Sequence, residues 1–358
     1  MDWGLPPLPP KFSAALRDVK AVRPESRVAA AERLGRAEAD EVAPALEGLR
    51  VLASDVHASV RATALAALGA IGGEPELPLA LTGLDDAAAE VAEFAALAIA
   101  QIGGDQAIAG LRRALTHRLP EVRFQAAAGL AELVPDEAVG DLVPLLADPD
   151  AEVRAQVVGS LGVLAEPHLV GHLAGVLDDD HPNVRLEAAI ALGHFGDPRA
   201  EAPLLEALHD RRRVAEVARA LSDLGSQKGN DTIAEIGKSW FTPPHLRAEL
   251  GAALVLLHDE RGGPLLKRVL SGLRSDARSY AVELAREVEA EAVVPDLVRL
   301  TKRPRGVDYF TLIEALAAFS QRSPAASTAL SELGQRADEV GEAARRSLAS
   351  RVADKQMG

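Results

Sequence analysis

An aliphatic residue returns along this chain at a nearly constant interval. Leu192 closes an apolar stripe in the stretch from Asp180 to Asp210, and its equivalents stand at Leu34, Leu68, Ile99, Leu130, Leu161, Leu221, Leu254, Ala285, Leu316 and Leu348. The steps are 34, 31, 31, 31, 31, 29, 33, 31, 31 and 32 residues. A steady period near 31 makes each unit one supersecondary element, which cannot bury its apolar face alone and must stack on its neighbours. Asp180 can cap a helix that starts near Pro182, because the first N–H groups have no intrahelical partner. Val184, Ala188, Ala189 and Leu192 then recur at helical spacing. Gly196-Asp197-Pro198 stops that helix and caps a second, whose stripe is Ala200, Leu204, Leu205 and Leu208. The unit is therefore two antiparallel helices of about ten residues each. The expected fold is all-α: a continuous right-handed α-solenoid, or superhelix, of about ten helix pairs with no β-sheet, closed by a helix over residues 337–353.

Composition suits such a stack. Apolar residues make up 48% of the chain and aromatic residues only 3%, so Ala and Leu fill a thin core between helices. Cysteine is absent, which excludes disulfides and thiolate chemistry. The N-terminus lacks a basic start followed by an apolar run, and a soluble cytoplasmic protein is expected. Residues 1–23 are expected to form a proline-rich arm and cap, 24–353 the repeats, and 354–358 a tail. Trp3 and Leu5 would anchor the arm; Pro6, Pro9 and Lys11 also match the spacing of a Pro-x-x-Pro-x-basic ligand.

Charge is uneven. Residues 1–180 hold 14 Lys and Arg against 28 Asp and Glu, whereas residues 181–358 hold 25 of each. Arg61 and Arg112 enclose a stretch with no Lys or Arg. Nucleic acid needs the opposite sign, to displace counterions from phosphates, so no nucleic-acid partner is expected. The acidic half is either a solvated face or a surface that steers a cationic partner.

A second period runs inside the first. Seven residues before the anchor stands Arg27, Arg61, Arg123, Arg154, Arg185, Arg247 or Arg278, and thirteen before it Asp55, Asp86, Asp148 or Asp179. The spacing puts an acid in the turn between units and a guanidinium at the start of the next helix. There the Arg can bind a carboxylate and turn carbonyls of its own or the adjacent unit. The pattern V-R-x-x-A-A-x-A-L-G, in Val184–Gly193, Val60–Gly69 and more loosely Val122–Ala131, resembles HEAT-like repeats of the phycobilisome-lyase type. The resemblance spans residues 24–353 and implies first helices on a convex side and second helices on a concave one. It also implies a functionally loose family of scaffolds, adaptors, bilin lyases and a few other enzymes.

No convergent catalytic set is legible. His168 and His172 stand four apart, a metal-ligand spacing, but no repeated acid or His accompanies them and a solvated pair is the plainer reading. No His is followed by Glu, unlike in HEAT-like hydroxylases, and there is no P-loop, nucleophile elbow or Rossmann glycine pattern. The expected function is a non-enzymatic scaffold or adaptor, a monomer in isolation, with no cofactor, no metal and no membrane insertion. The alternative is a bilin-lyase-like or metal-dependent enzyme on the same fold. A protein partner of unspecified identity is expected to meet rows of second-helix residues, which include Arg113, Asp141, His168, His172 and Arg199. Two turns that break the pattern add Trp240 and Phe241, and Tyr309 and Phe310, where aromatic residues gather beside prolines or basic residues.

Overall fold

The computed structural model describes the backbone of residues 11–357 and the side chains of residues 11–350. Trp3, Leu5, Pro6 and Pro9 of the expected arm lie outside the described residues. Among the described residues there are twenty-two α-helices and no strand. The all-α reading holds, as do the ten helix pairs and the closing helix.

The chain divides into two compact units, one ending at Ala191 and the other beginning at Leu192. In the first unit a short α1 (Phe12–Asp18) precedes α2 (Pro24–Leu34) with α3 (Val42–Leu52), and α4 (Ala58–Ile71) with α5 (Leu77–Gly83). Next come α6 (Ala89–Ile102) with α7 (Asp105–Ala114), α8 (Pro120–Leu133) with α9 (Pro135–Leu142), and α10 (Ala151–Leu164) with α11 (Val170–Ala174). The division falls inside α12 (Pro182–His194), whose companion is α13 (Glu201–Ala207). The second unit continues with α14 (Val214–Leu224) and α15 (Asn230–Lys238), then α16 (Pro244–Leu256) and α17 (Gly262–Leu270). It ends with α18 (Ser275–Glu287) and α19 (Val294–Lys302), α20 (Tyr309–Phe319) and α21 (Pro324–Gly334), and α22 (Glu339–Met357). The last helix runs on through residues expected to form a tail.

The anchors form the core. Leu34, Ile99, Leu130, Leu161, Leu192, Leu221, Leu254 and Leu316 are all fully buried, and each such leucine contributes about 1.5–3 kcal/mol of transfer free energy. Between the first helices of successive units the spacer is glycine. A Cβ on Gly69 would stand 2.7 Å from the Ala98 backbone, and one on Gly162 would stand 2.8 Å from the Ala191 Cβ. Gly193 meets Ala220 in the same way inside the second unit. Glycine at these positions lies inside a helix and lets two helices approach.

Second helices are shorter than expected. α11 has 5 residues and α13 has 7, each entered through a 3₁₀ turn that begins at Pro167 or Pro198. Proline suits such a first turn, where its missing N–H has no intrahelical partner to lose. Conversely, the segment Gln227–Pro244 holds a longer second helix, α15, of 9 residues. Its buried Ile233 and Ala234 seat an otherwise polar segment.

Candidate binding surfaces

The Arg–Asp period builds an edge. Arg27, Arg61, Arg123 and Arg154 each fork onto the Asp of the following turn, Asp55, Asp86, Asp148 and Asp179, through Nε and Nη2 at 2.6–2.9 Å. The other Nη1 donates back to a carbonyl of its own turn, as from Arg61 to Asp55 and from Arg154 to Asp148. Each Asp also accepts the backbone N–H two residues on, for example His181 on Asp179 at 2.8 Å, which fixes the turn. Asp180, expected to cap α12, instead binds Arg154. The Arg forks hold the Asp55 and Asp179 carboxyls down at about 2, against the ordinary carboxylate range. Where α6 carries Ala92 in place of the Arg, the matching turn carries His117 in place of the Asp, so both partners of that rung are missing together.

The second-helix candidates are held by their own surroundings. Asp141 pairs with Arg112 at 2.8 Å, and the same guanidinium takes Glu137. Arg199 forks onto Asp197 in its own turn. Arg113 lies 4.0 Å from Asp85, and His168 lies 3.9 Å from Glu166. His172 is exposed on α11. No hydrogen bond or ion pair joins any two of Arg113, Asp141, His168 and His172. Among the described residues no group of three His, Asp or Glu side chains is placed to hold a metal ion.

The pattern-breaking turns both lie in the second unit. Trp240 is 82% exposed and Phe241 85%, with the Arg268 guanidinium 6.0 Å from the Trp240 ring. Tyr309 is half-buried: its hydroxyl donates to the Thr301 carbonyl at 3.3 Å and Arg336 stacks over its ring at 4.7 Å. Phe310 projects outward beside it.

A hollow lies elsewhere, on the first helices of the first unit. A cavity of about 600 Å³ runs over α8, α10 and the start of α12. Phe124, Ala128, Ala155, Gly159 and Val163 give it an apolar floor, and Glu132, Glu152 and Glu187 are its only charged lining residues. A smaller cavity of about 220 Å³ shares Phe124 and Glu152 and adds Glu93, Glu121 and Asp150. Val163 is 85% exposed within this groove. A sequence signal for it exists: two residues before the anchor, consecutive units carry Ala128 and Gly159, between Leu97 and Ile190. Two small side chains in adjacent units leave a depression.

Stacked helix pairs with an edge of ion pairs and a grooved face define an α-solenoid of tandem repeats. The chain belongs to the HEAT repeat family, whose profile matches residues 77–148, 139–222 and 172–257, together more than half of its 358 residues. A search of curated protein sequences finds no match. Among solved structures, the E. coli protein YibA is 18% identical with a TM-score of 0.51, over 70% of this chain and 93% of that one. Importin beta is 12% identical with a TM-score of 0.46, over 93% of this chain and 56% of its own. The complex of CpcE and CpcF of phycocyanin lyase from Nostoc sp. PCC7120 is 18% identical with a TM-score of 0.38, over 71% and 92%. At this identity the likeness to YibA speaks to the fold alone.

Proposed function

We propose that the protein is a non-enzymatic adaptor that binds a basic, amphipathic segment of another protein along the groove of α8, α10 and α12. The observation that carries this reading is the lining of that groove, an apolar floor around Phe124 whose charged residues are all carboxylates. Apolar side chains of a partner helix fill the floor, and its Lys or Arg side chains meet Glu132 and Glu152, a pairing that favours both association rate and register. The excess of acids in residues 1–180 extends the same field beyond the groove and steers a cationic partner toward it. Stacked repeats offer extended surfaces of this kind as a matter of architecture. The repeats are of the phycobilisome-lyase subtype by their V-R-x-x-A-A-x-A-L-G segments, and that subtype by itself implies no bilin chemistry.

The test is affinity purification from the native cell with wild-type bait and with Glu132→Lys/Glu152→Lys bait. Both substituted side chains are exposed, so the fold is expected to tolerate the change within about 0.5 kcal/mol per site. The principal partner should carry a basic amphipathic segment, and the doubly reversed bait should bind it about tenfold more weakly. Equal recovery by a folded double variant would falsify the groove as the docking surface.

A further inference from the structure

The edge of ion pairs breaks in the second unit, and it breaks asymmetrically. Arg247 and Arg278 keep their places, but 25 residues on, where earlier units put Asp, stand Gly272 and Arg303. Both guanidiniums turn to carbonyls: Arg247 to Gly237 and Ser239, Arg278 to Gly272 and Arg305. Arg278 is 2% exposed and its Nε has no partner. Burial pushes both guanidiniums below their ordinary value, aided by Arg268 beside Arg247 and Arg305 beside Arg278. This part of the edge therefore carries cations that the chain does not neutralise.

A cavity adjoins Arg278 through Arg305, whose carbonyl accepts its Nη1. Between the turn after α17 and the turn after α19 lies a hollow of about 360 Å³, lined by Arg299, Lys302, Arg303 and Arg305 over Leu270 and Leu300. Lys302, Arg303 and Arg305 have no carboxylate partner among the described residues. The one acid in the lining is Asp296. Its Oδ1 holds Arg299 at 3.0 Å, while its Oδ2 is buried in the wall without a partner. The cavity thus presents four cationic donors and one unpaired acceptor. Leu273, 99% exposed, stands on the turn after α17, and the exposed Phe310 on the first turn of α20.

We propose that this cavity docks an acidic segment of a protein, with a side-chain carboxylate or phosphate among Arg299, Lys302, Arg303 and Arg305. A backbone N–H of the same segment donates to Asp296 Oδ2, and apolar neighbours rest on Leu273 and Phe310. A peptide offers oxyanion and N–H a few atoms apart, which matches both demands of the lining. A flat bilayer surface does not reach an acceptor buried in a concave wall. The inference rests on the adaptor reading only in taking a protein as ligand, and it concerns a second site of opposite sign.

The experiment selects short peptides from a random displayed library on the full-length protein, then titrates the synthesised winner and its phosphoserine counterpart. A class of winners rich in Asp and Glu is expected beside the basic ones that the groove of α8, α10 and α12 selects, and the acidic class binds more weakly as salt is added. Arg303→Glu/Arg305→Glu should weaken the acidic winner about tenfold or more, the neutralising Lys302→Gln/Arg303→Gln by less, and Lys20→Glu in the first unit not at all. Circular dichroism confirms that each variant is folded. The absence of any acidic winner, equal binding of an acidic winner by the wild type and the folded reversed variant, or retention on phosphatidylserine vesicles without any acidic peptide bound would each overturn the proposal. The phosphoserine arm separates phosphate from carboxylate as the preferred anion. Glu132→Lys/Glu152→Lys should leave the acidic winner's affinity unchanged, so failure of the groove and failure of the cavity are read separately.

Discussion

At the scale of single residues, the edge ladder is the clearest link between spacing and energetics. Asp six residues ahead of Arg is visible in the sequence, and the spacing admits a pair within one unit or with the adjacent one. The structure shows that the local bond goes to the backbone carbonyl, and the carboxylate bond reaches forward to the next turn. Sequence spacing could not give that direction, because both partners recur in every unit and any register fits the pattern. The consequence for pH is signed. Asp55 and Asp179 titrate in the folded protein at about 2, depressed below the unfolded carboxylate value, so their contribution is complete above the unfolded value and is lost as pH falls through the folded one. Both side chains are only 11–12% exposed, which leaves about 1–2 kcal/mol each after screening. Urea unfolding midpoints of the wild type should hold level from neutral pH to about 4 and fall from there toward 2, with a shallower fall in Asp179→Asn. An identical acid profile for the two proteins would show that the rung at Arg154 contributes nothing.

At the scale of helices, the period places every pair, and the apolar anchors it aligns are buried, apart from the half-buried Leu348 of the closing helix. Glycine is ambiguous in sequence for a physical reason. A helix stop and a close approach both select a residue without Cβ, and only the neighbouring unit tells them apart. Gly162 lies within α10, packed on Ala191 of α12, whereas Gly140 in α9 has nothing within 4 Å of a built Cβ. Gly162→Leu should force the two helices apart and cost about 1–3 kcal/mol or more. Gly140→Ala should be neutral or stabilising by up to about 1 kcal/mol, from helix propensity alone. Thermal melts of the two variants check the contrast; equal melting temperatures would mean that Gly162 does not set the helix spacing. The lengths of the second helices are less legible, because 3₁₀ turns at Pro167–Leu169 and Pro198–Ala200 stand where the first α-helical turns of α11 and α13 would be.

At the scale of the whole molecule, the charge imbalance is open to reading in the sequence, but its location is not. The groove is assembled sideways from α8, α10 and α12, and its floor depends on Ala128 and Gly159 being small in adjacent units, a feature that a single repeat does not display. The rows that the sequence favours lie instead on the second helices and their entry turns, and there Asp141 and Arg199 are already engaged in ion pairs. The two surfaces of opposite sign, an acidic groove in one unit and a basic cavity in the other, suit an adaptor with two chemically distinct contacts. The groove is the central claim, and zero-length carbodiimide cross-linking of the complex purified from native cells tests it most directly, because that chemistry joins only carboxylates and amines in contact. A basic segment docked on α8, α10 and α12 gives cross-links from partner lysines to Glu132 or Glu152. Cross-links confined to second-helix carboxylates such as Glu137, with Glu132 and Glu152 unlinked in an intact complex, contradict it.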